Sequence, residues 1–176
     1  MRSAPRLVAA LFALSLLGMA AGCATNDLRS RPGTTTTVIV TRHADRDGES
    51  DELNETGRER ARALLAEVRD LGVTAIFSPN AGRNLATVQP LAGHLGIEIT
   101  RTPQVSLFVA GSIAREILDR HAGGVVVWVG NVSGNLQAMY HLLGGTGPGP
   151  VEYGDLHILT IPDRGPVIVV KKRYGP

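Results

Sequence analysis

The sequence predicts an α/β fold, a three-layer α/β/α sandwich around a mostly parallel sheet. Three observations predict it. Short apolar runs alternate with segments of helical periodicity from residue 35 almost to the C-terminus, as in folds whose parallel strands are joined by helices. The first run, Thr35–Thr41, is β-branched at every position, which suits a strand buried on both faces. The helical segments carry apolar residues on one face only, with Leu64, Val68 and Leu71 in the first and Leu136, Met139, Tyr140 and Leu143 in the last.

Taken in order, the strand Thr35–Thr41 gives way to a polar loop from Arg42 to Asn54. A helix follows over Glu55–Leu71, with Asn54 placed to cap its free amides. Then come a strand (Thr74–Ser78), a helix (Arg83–Leu95), a short strand (Glu98–Thr100), a helix (Ser112–His121), a strand (Gly124–Val129) and a helix (Ser133–Leu143). Two strands close the chain, near Leu156–Ile161 and Val167–Lys172, after a Gly- and Pro-rich connector, Gly144–Pro150. Right-handed crossovers bring the strand ends at Arg42-His43, Ser78 and Gly130-Asn131 to one edge of the sheet. That edge is where such folds bind ligands.

The residues at those ends form a pattern. Arg42-His43-Ala44 follows the first strand, and Leu53-Asn54-Glu55-Thr56-Gly57-Arg58-Glu59-Arg60-Ala61 opens the first helix. Ser78, Arg83 and Thr87 follow the second strand, and Tyr153-Gly154-Asp155-Leu156-His157 begins the closing pair. Together these resemble the histidine phosphatase (phosphoglycerate mutase-like) superfamily over residues 35–175. Its pattern is Arg-His-Gly/Ala, Leu-Thr/Ser-x-x-Gly-x-x-Gln/Arg-Ala and Ser-x-x-x-Arg-x-x-x-Thr, and here the Ser-to-Arg gap is one residue longer. The resemblance implies a phosphoglycerate mutase-like fold and hydrolysis of phosphomonoesters or phosphohistidine through a phosphohistidine intermediate.

Physical chemistry assigns the parts. Phosphate-monoester hydrolysis is among the slowest uncatalysed reactions, so a nucleophile that divides it into two steps is needed, together with cations on the phosphoryl oxygens. His43 is the candidate nucleophile. Arg42 and Arg83 are candidate phosphate clamps, because guanidinium pairs with phosphate through parallel hydrogen bonds and stays charged. The family's second histidine, expected after the strand Val125–Val129, is replaced: Asn131 stands there. Asn131 offers an amide N–H but no positive charge, and Ser133 and Gly134 are expected to open a helix whose free N–H groups attract anions. Loss of one transition-state donor costs on the order of 10²–10³ in rate. Two outcomes stay open: a slow phosphatase, or a phospho-ligand binder without useful turnover.

A proton donor for the leaving group is less defined. Asp45 is the local candidate, within a loop holding six carboxylates from Asp45 to Glu55, and the alternative is a solvated acidic loop. Glu116 falls on a helix and reads as a surface charge. His94, His121, His141 and His157 lie in separate elements without ligand spacing, so no metal and no cofactor are implied.

The amino terminus addresses location. Arg2 and Arg6 precede an apolar stretch, Leu7–Ala21, too short for a span of roughly 20 residues, and small residues lead into the only cysteine, Ala20-Ala21-Gly22-Cys23. This resembles a bacterial lipoprotein signal, although Ala20 stands where leucine is usual. The expectation is a signal peptide over residues 1–22, a lipidated Cys23 with a flexible tether over residues 23–34, and one domain over residues 35–176 facing the periplasm or cell exterior. Ordinary signal-peptide cleavage with a soluble product is the alternative. The chain's formal charge is +2, but setting Arg2 and Arg6 aside leaves 16 basic residues against 16 acidic ones. That balance gives no basic face for nucleic acid. The expected partners are a phosphorylated small molecule or phosphoprotein, and a membrane through the lipid. Lys171-Lys172-Arg173 reads as a solvated end strand.

Overall fold

A computed structural model of the chain describes residues 28–103 and 107–176, so Cys23 and the expected signal peptide lie outside the described residues. The elements are β1 (Thr35–Arg42), α1 (Glu55–Val68), β2 (Val73–Pro79), α2 (Gly82–Leu95), β3 (Ile99–Thr102), α3 (Leu107–Arg120), β4 (Val125–Gly130), α4 (Leu136–Leu142), β5 (Asp155–Pro162) and β6 (Ile168–Arg173). They form one six-stranded sheet in the order β3-β2-β4-β1-β5-β6. β3, β2, β4 and β1 run parallel, β5 pairs antiparallel with β1, and β6 pairs antiparallel with β5.

Alternation along the central strands separates two cores. Val38, Val40 and Trp128 face α3 and α4, meeting Ile113, Ile117, Leu136 and Met139. Ile39, Val127 and Val129 face α1 and α2, meeting Leu64, Val68, Val88 and Leu91. The connection leaving β1 therefore turns to one side of the sheet and the connection leaving its neighbour β4 turns to the other. Such a switch point opens a crevice at the carboxyl ends of the two strands. Register aligns them there, with Arg42 opposite Gly130.

Local chemistry sets the element ends. Asn54 caps α1 by accepting the Gly57 amide at 2.9 Å. Gly57 itself is required by close approach, because a Cβ there would sit 2.1 Å from the Asp45 carbonyl oxygen. Leu71, expected on the buried helix face, is exposed because α1 stops at Val68 and Leu71 falls in the following turn. The helix expected from Ser133 begins only at Leu136. The Asn131 carbonyl accepts from Gly134 N and Leu136 N, at 3.1 and 3.4 Å, and holds a turn instead. Gly134 thus offers no free amide to an anion.

Residues 28–34, expected within a flexible tether, are packed onto the domain. Leu28 lies against the first core and donates to the Leu142 carbonyl at 3.3 Å. Ser30 is buried and shares a 2.6 Å hydrogen bond with Thr36, and Gly33 N donates to Asp163 at 2.7 Å. Lys171, Lys172 and Arg173 of β6, at an edge of the sheet, are all exposed. Lys172 pairs with Glu67, and Arg173 with Asp155 at 2.8 Å.

Candidate active site

Four of the predicted site residues meet at the switch-point crevice. Arg42, His43, Arg83 and Asn131 line one pocket of about 290 Å³, together with Arg46, Glu49, Val132 and Ser133. Asp45 is not among its walls.

His43 follows the last residue of β1, and its amide donates to the Gly130 carbonyl at 3.0 Å, which ties the nucleophile candidate to β4. The side chain is buried, 3% exposed, and its edge meets the Tyr153 ring with centroids 5.8 Å apart. Nδ1 lies 2.8 Å from the Ala44 carbonyl oxygen. A carbonyl only accepts, so Nδ1 carries the proton in the neutral ring and Nε2 keeps its lone pair. Burial lowers the His43 pKa to about 4, against the raising effect of the Ala44 hydrogen bond and with further lowering from Arg42, Arg83 and Arg46. The imidazole is therefore neutral across the physiological range.

A pH dependence follows with a definite sign. Any turnover that uses Nε2 should persist on the acid side down to about pH 4 and fall as the ring protonates below it. A pH–kcat/KM profile checks this, and a limb set by an unperturbed histidine, near 6.5, would contradict it. The same depression costs stability on acidification. Below the unfolded value, and until the folded value is reached, the unfolded chain takes up a proton that the native state refuses.

The two clamps are held differently. The Arg42 guanidinium lies 3.8 Å over the Tyr153 ring and donates to the Val151 carbonyl at 2.9 Å. Arg83 stands in the first turn of α2 and is fixed by Asp51, whose carboxylate accepts from Arg83 at 2.6 Å and from the Gly82 amide at 2.7 Å. The Gly82 hydrogen bond, opposed by burial and aided by Arg83, holds the Asp51 carboxyl below its usual range. Gly82 is needed for this approach, because a Cβ would lie 2.7 Å from the Asp51 carbonyl. Nε of both Arg42 and Arg83 is buried with no hydrogen-bond partner, as is Oδ1 of Asn131. Buried donors are nearly always satisfied, so two unsatisfied guanidinium N–H groups at one pocket point to an anionic ligand. Thr87 joins the two halves of the site: its hydroxyl accepts from Ala44 N at 2.8 Å and donates to the Arg83 carbonyl at 2.7 Å.

Asp45 departs from expectation. Its carboxylate is gripped by Arg60, at 2.5 Å to Nε and 3.3 Å to Nη2, and both side chains are largely buried. Arg60 also donates to the Tyr174 carbonyl at 2.9 Å. A carboxylate held this way clasps loop, helix and C-terminus together and is not presented to the pocket as a proton donor. Tyr153 and Arg46 escaped the sequence reading, and Glu49 entered it only as one of the six loop carboxylates. Tyr153 carried no signal beyond its place before the closing strands. Arg46 did carry one, being the only basic residue among the six carboxylates of the loop.

Fold and pocket together define an α/β protein with a neutral histidine among guanidinium groups at the switch point of its sheet. Residues 30–106, which include Arg42, His43 and Arg83, match the model of the histidine phosphatase superfamily (branch 1). Solved structures share the phosphoglycerate mutase-like fold. YhfR of Bacillus stearothermophilus aligns with a TM-score of 0.63 at 20% identity, covering 77% of this chain and 95% of that one. The protein histidine phosphatase SixA, solved with tungstate, aligns with a TM-score of 0.60 at 14% identity, covering 78% and 96%. A phosphoserine phosphatase of Entamoeba histolytica, solved with 3-phosphoglyceric acid, aligns with a TM-score of 0.55 at 14% identity, covering 80% and 97%. No curated protein matches the chain.

Proposed function

We propose that this protein is a phosphatase that works through a phosphohistidine on His43. The observation that carries the reading is a buried, neutral imidazole with Nε2 unprotonated, in a pocket where Arg42 and Arg83 each keep an unpartnered Nε donor. Nε2 attacks phosphorus, the phosphorus–leaving-group bond breaks, and its electron pair departs with the leaving group. Water then attacks phosphorus and releases a proton to solvent, and the P–N bond returns its pair to Nε2. Guanidinium groups fixed in advance oppose the charge that develops on the phosphoryl oxygens. With Asp45 engaged by Arg60, the best substrates are those whose leaving group departs with little help, such as an aryl phosphate or a phosphohistidine. The test is release of p-nitrophenol from p-nitrophenyl phosphate by the purified protein, and of phosphate from a phosphohistidine peptide.

Asn131 sets the expected rate. It is buried at the pocket wall, and its amide can donate hydrogen bonds but carries no charge. Asn131→His should raise kcat by about tenfold or more, within the range that one transition-state donor supplies. Steady-state kinetics on p-nitrophenyl phosphate measures it, and an unchanged kcat would remove Asn131 from the account of a slow site.

The same residue favours a second reading, a phospho-ligand binder that keeps the pocket without useful turnover. Vanadate or phosphate would then raise the melting temperature through Arg42 and Arg83 while no hydrolysis occurs. The Ala20-Ala21-Gly22-Cys23 sequence supports export and lipid anchoring at Cys23. Labelled palmitate should enter the wild-type protein in a bacterial host and not Cys23→Ser, and equal labelling of both would exclude that anchor.

A further inference from the structure

We propose that Arg46, paired with the displaceable carboxylate of Glu49, is a second anion subsite on the pocket rim, which selects substrates carrying another negative group beside the phosphoryl group. This rests on the phosphoryl-site reading and goes beyond it by specifying what stands next to the phosphate.

Three guanidinium groups line the pocket, and they are not equivalent. Arg42 and Arg83 have buried, unpartnered Nε donors and rigid supports in Tyr153 and Asp51. Two such cations match a dianionic phosphoryl group, so Arg46 is surplus to it. The Arg46 side chain is only 15% exposed, and its Nη1 donates to the Ser50 carbonyl at 2.9 Å, which keeps the guanidinium at the pocket wall. Its Nη2 meets Glu49 at 3.2 Å, but the Glu49 side chain is 97% exposed. An ion pair with one member in open solvent is weak and easily exchanged. A ligand carboxylate or second phosphate replaces Glu49 without loss of charge balance, and the planar guanidinium receives it through paired hydrogen bonds. The pocket, at about 290 Å³, has room for more than a phosphoryl group.

Two phosphonates that resist hydrolysis separate the subsites: methylphosphonate, which offers only the phosphoryl mimic, and phosphonoacetate, which adds a carboxylate. In calorimetric titrations the wild-type protein should bind phosphonoacetate about tenfold more tightly, the gain of one well-placed charged contact. Arg46→Gln should bring the two affinities together by weakening phosphonoacetate far more than methylphosphonate, and Glu49→Gln should widen the preference because the competing carboxylate is gone. Glu49 is fully exposed, so its variant keeps the fold and supplies a test independent of Arg46.

Equal affinities in the wild type, a preference that survives Arg46→Gln, or equal weakening of both ligands by Arg46→Gln would each overturn the proposal. The last outcome would assign Arg46 to the phosphoryl group itself. If the wild type binds neither phosphonate, the phosphoryl-site reading falls and takes this proposal with it. If methylphosphonate binds without a preference, only the subsite falls.

Discussion

Replacing His43 by alanine is expected to reduce phosphatase turnover by roughly 10⁴–10⁶, the scale seen when a covalent nucleophile is removed. His43 is the one imidazole lining the pocket; the other walls are guanidinium groups, an amide, a valine, a serine and Glu49. His43 is also poorly suited to a purely structural role. Its Nδ1 hydrogen bond to Ala44 is local, and burial disfavours the charged form that would otherwise pair with an acid. The variant should fold, because alanine leaves the Gly130 backbone hydrogen bond intact, and it should still gain stability from vanadate or phosphate through Arg42 and Arg83. Turnover equal to wild type in a protein purified beside it would refute the phosphohistidine mechanism. Turnover lost with oxyanion binding retained would separate chemistry from binding.

The largest effect on stability should come from Arg60. Arg60→Met removes the partner of a carboxylate that is mostly out of solvent, and breaking a buried pair on one side costs about 3–5 kcal/mol. It also frees the Tyr174 carbonyl that Arg60 holds. The melting temperature should fall by on the order of 10 °C. Asp45→Asn keeps an acceptor for Arg60 and should cost less. The pair of variants also decides the role of Asp45. A structural clasp predicts that Asp45→Asn lowers the melting temperature with kcat nearly kept, whereas a proton donor predicts the reverse. Thermal denaturation followed by circular dichroism, read beside kcat, distinguishes them.

Much of this architecture could be read from the chain because backbone periodicity and burial act locally. The all-β-branched run of β1, the Asn54 cap and the apolar faces of α1 and α4 are one-dimensional signals, and each appears in the fold within a few residues of its expected place. Arg42, His43, Arg83 and Asn131 could be named because they stand just beyond the strands and at positions of the pattern that resembles the histidine phosphatase superfamily. Loop chemistry was harder. Asp45 looked like an acid beside a nucleophile, and only three-dimensional packing reveals that Arg60, fifteen residues on, has claimed it. Ser133 and Gly134 have helix-opening composition, yet the Asn131 carbonyl draws the following amides into a turn, a competition that propensity does not register. Tyr153 meets Arg42 and His43 from a segment more than a hundred residues away, and nothing in its neighbours' spacing marks it as the surface on which Arg42 lies.

The packed segment before β1 gives the domain a direction. Ser30 and Gly33 secure the incoming chain beside Thr36 and Asp163, at the start of β1, while the pocket opens where β1 ends. Eight residues of strand separate the two, about 25 Å at the usual rise. The described chain therefore enters the molecule at the end of β1 opposite the pocket. A surface that held the protein by that end would carry it as an upright cup, with the crevice above His43 facing outward.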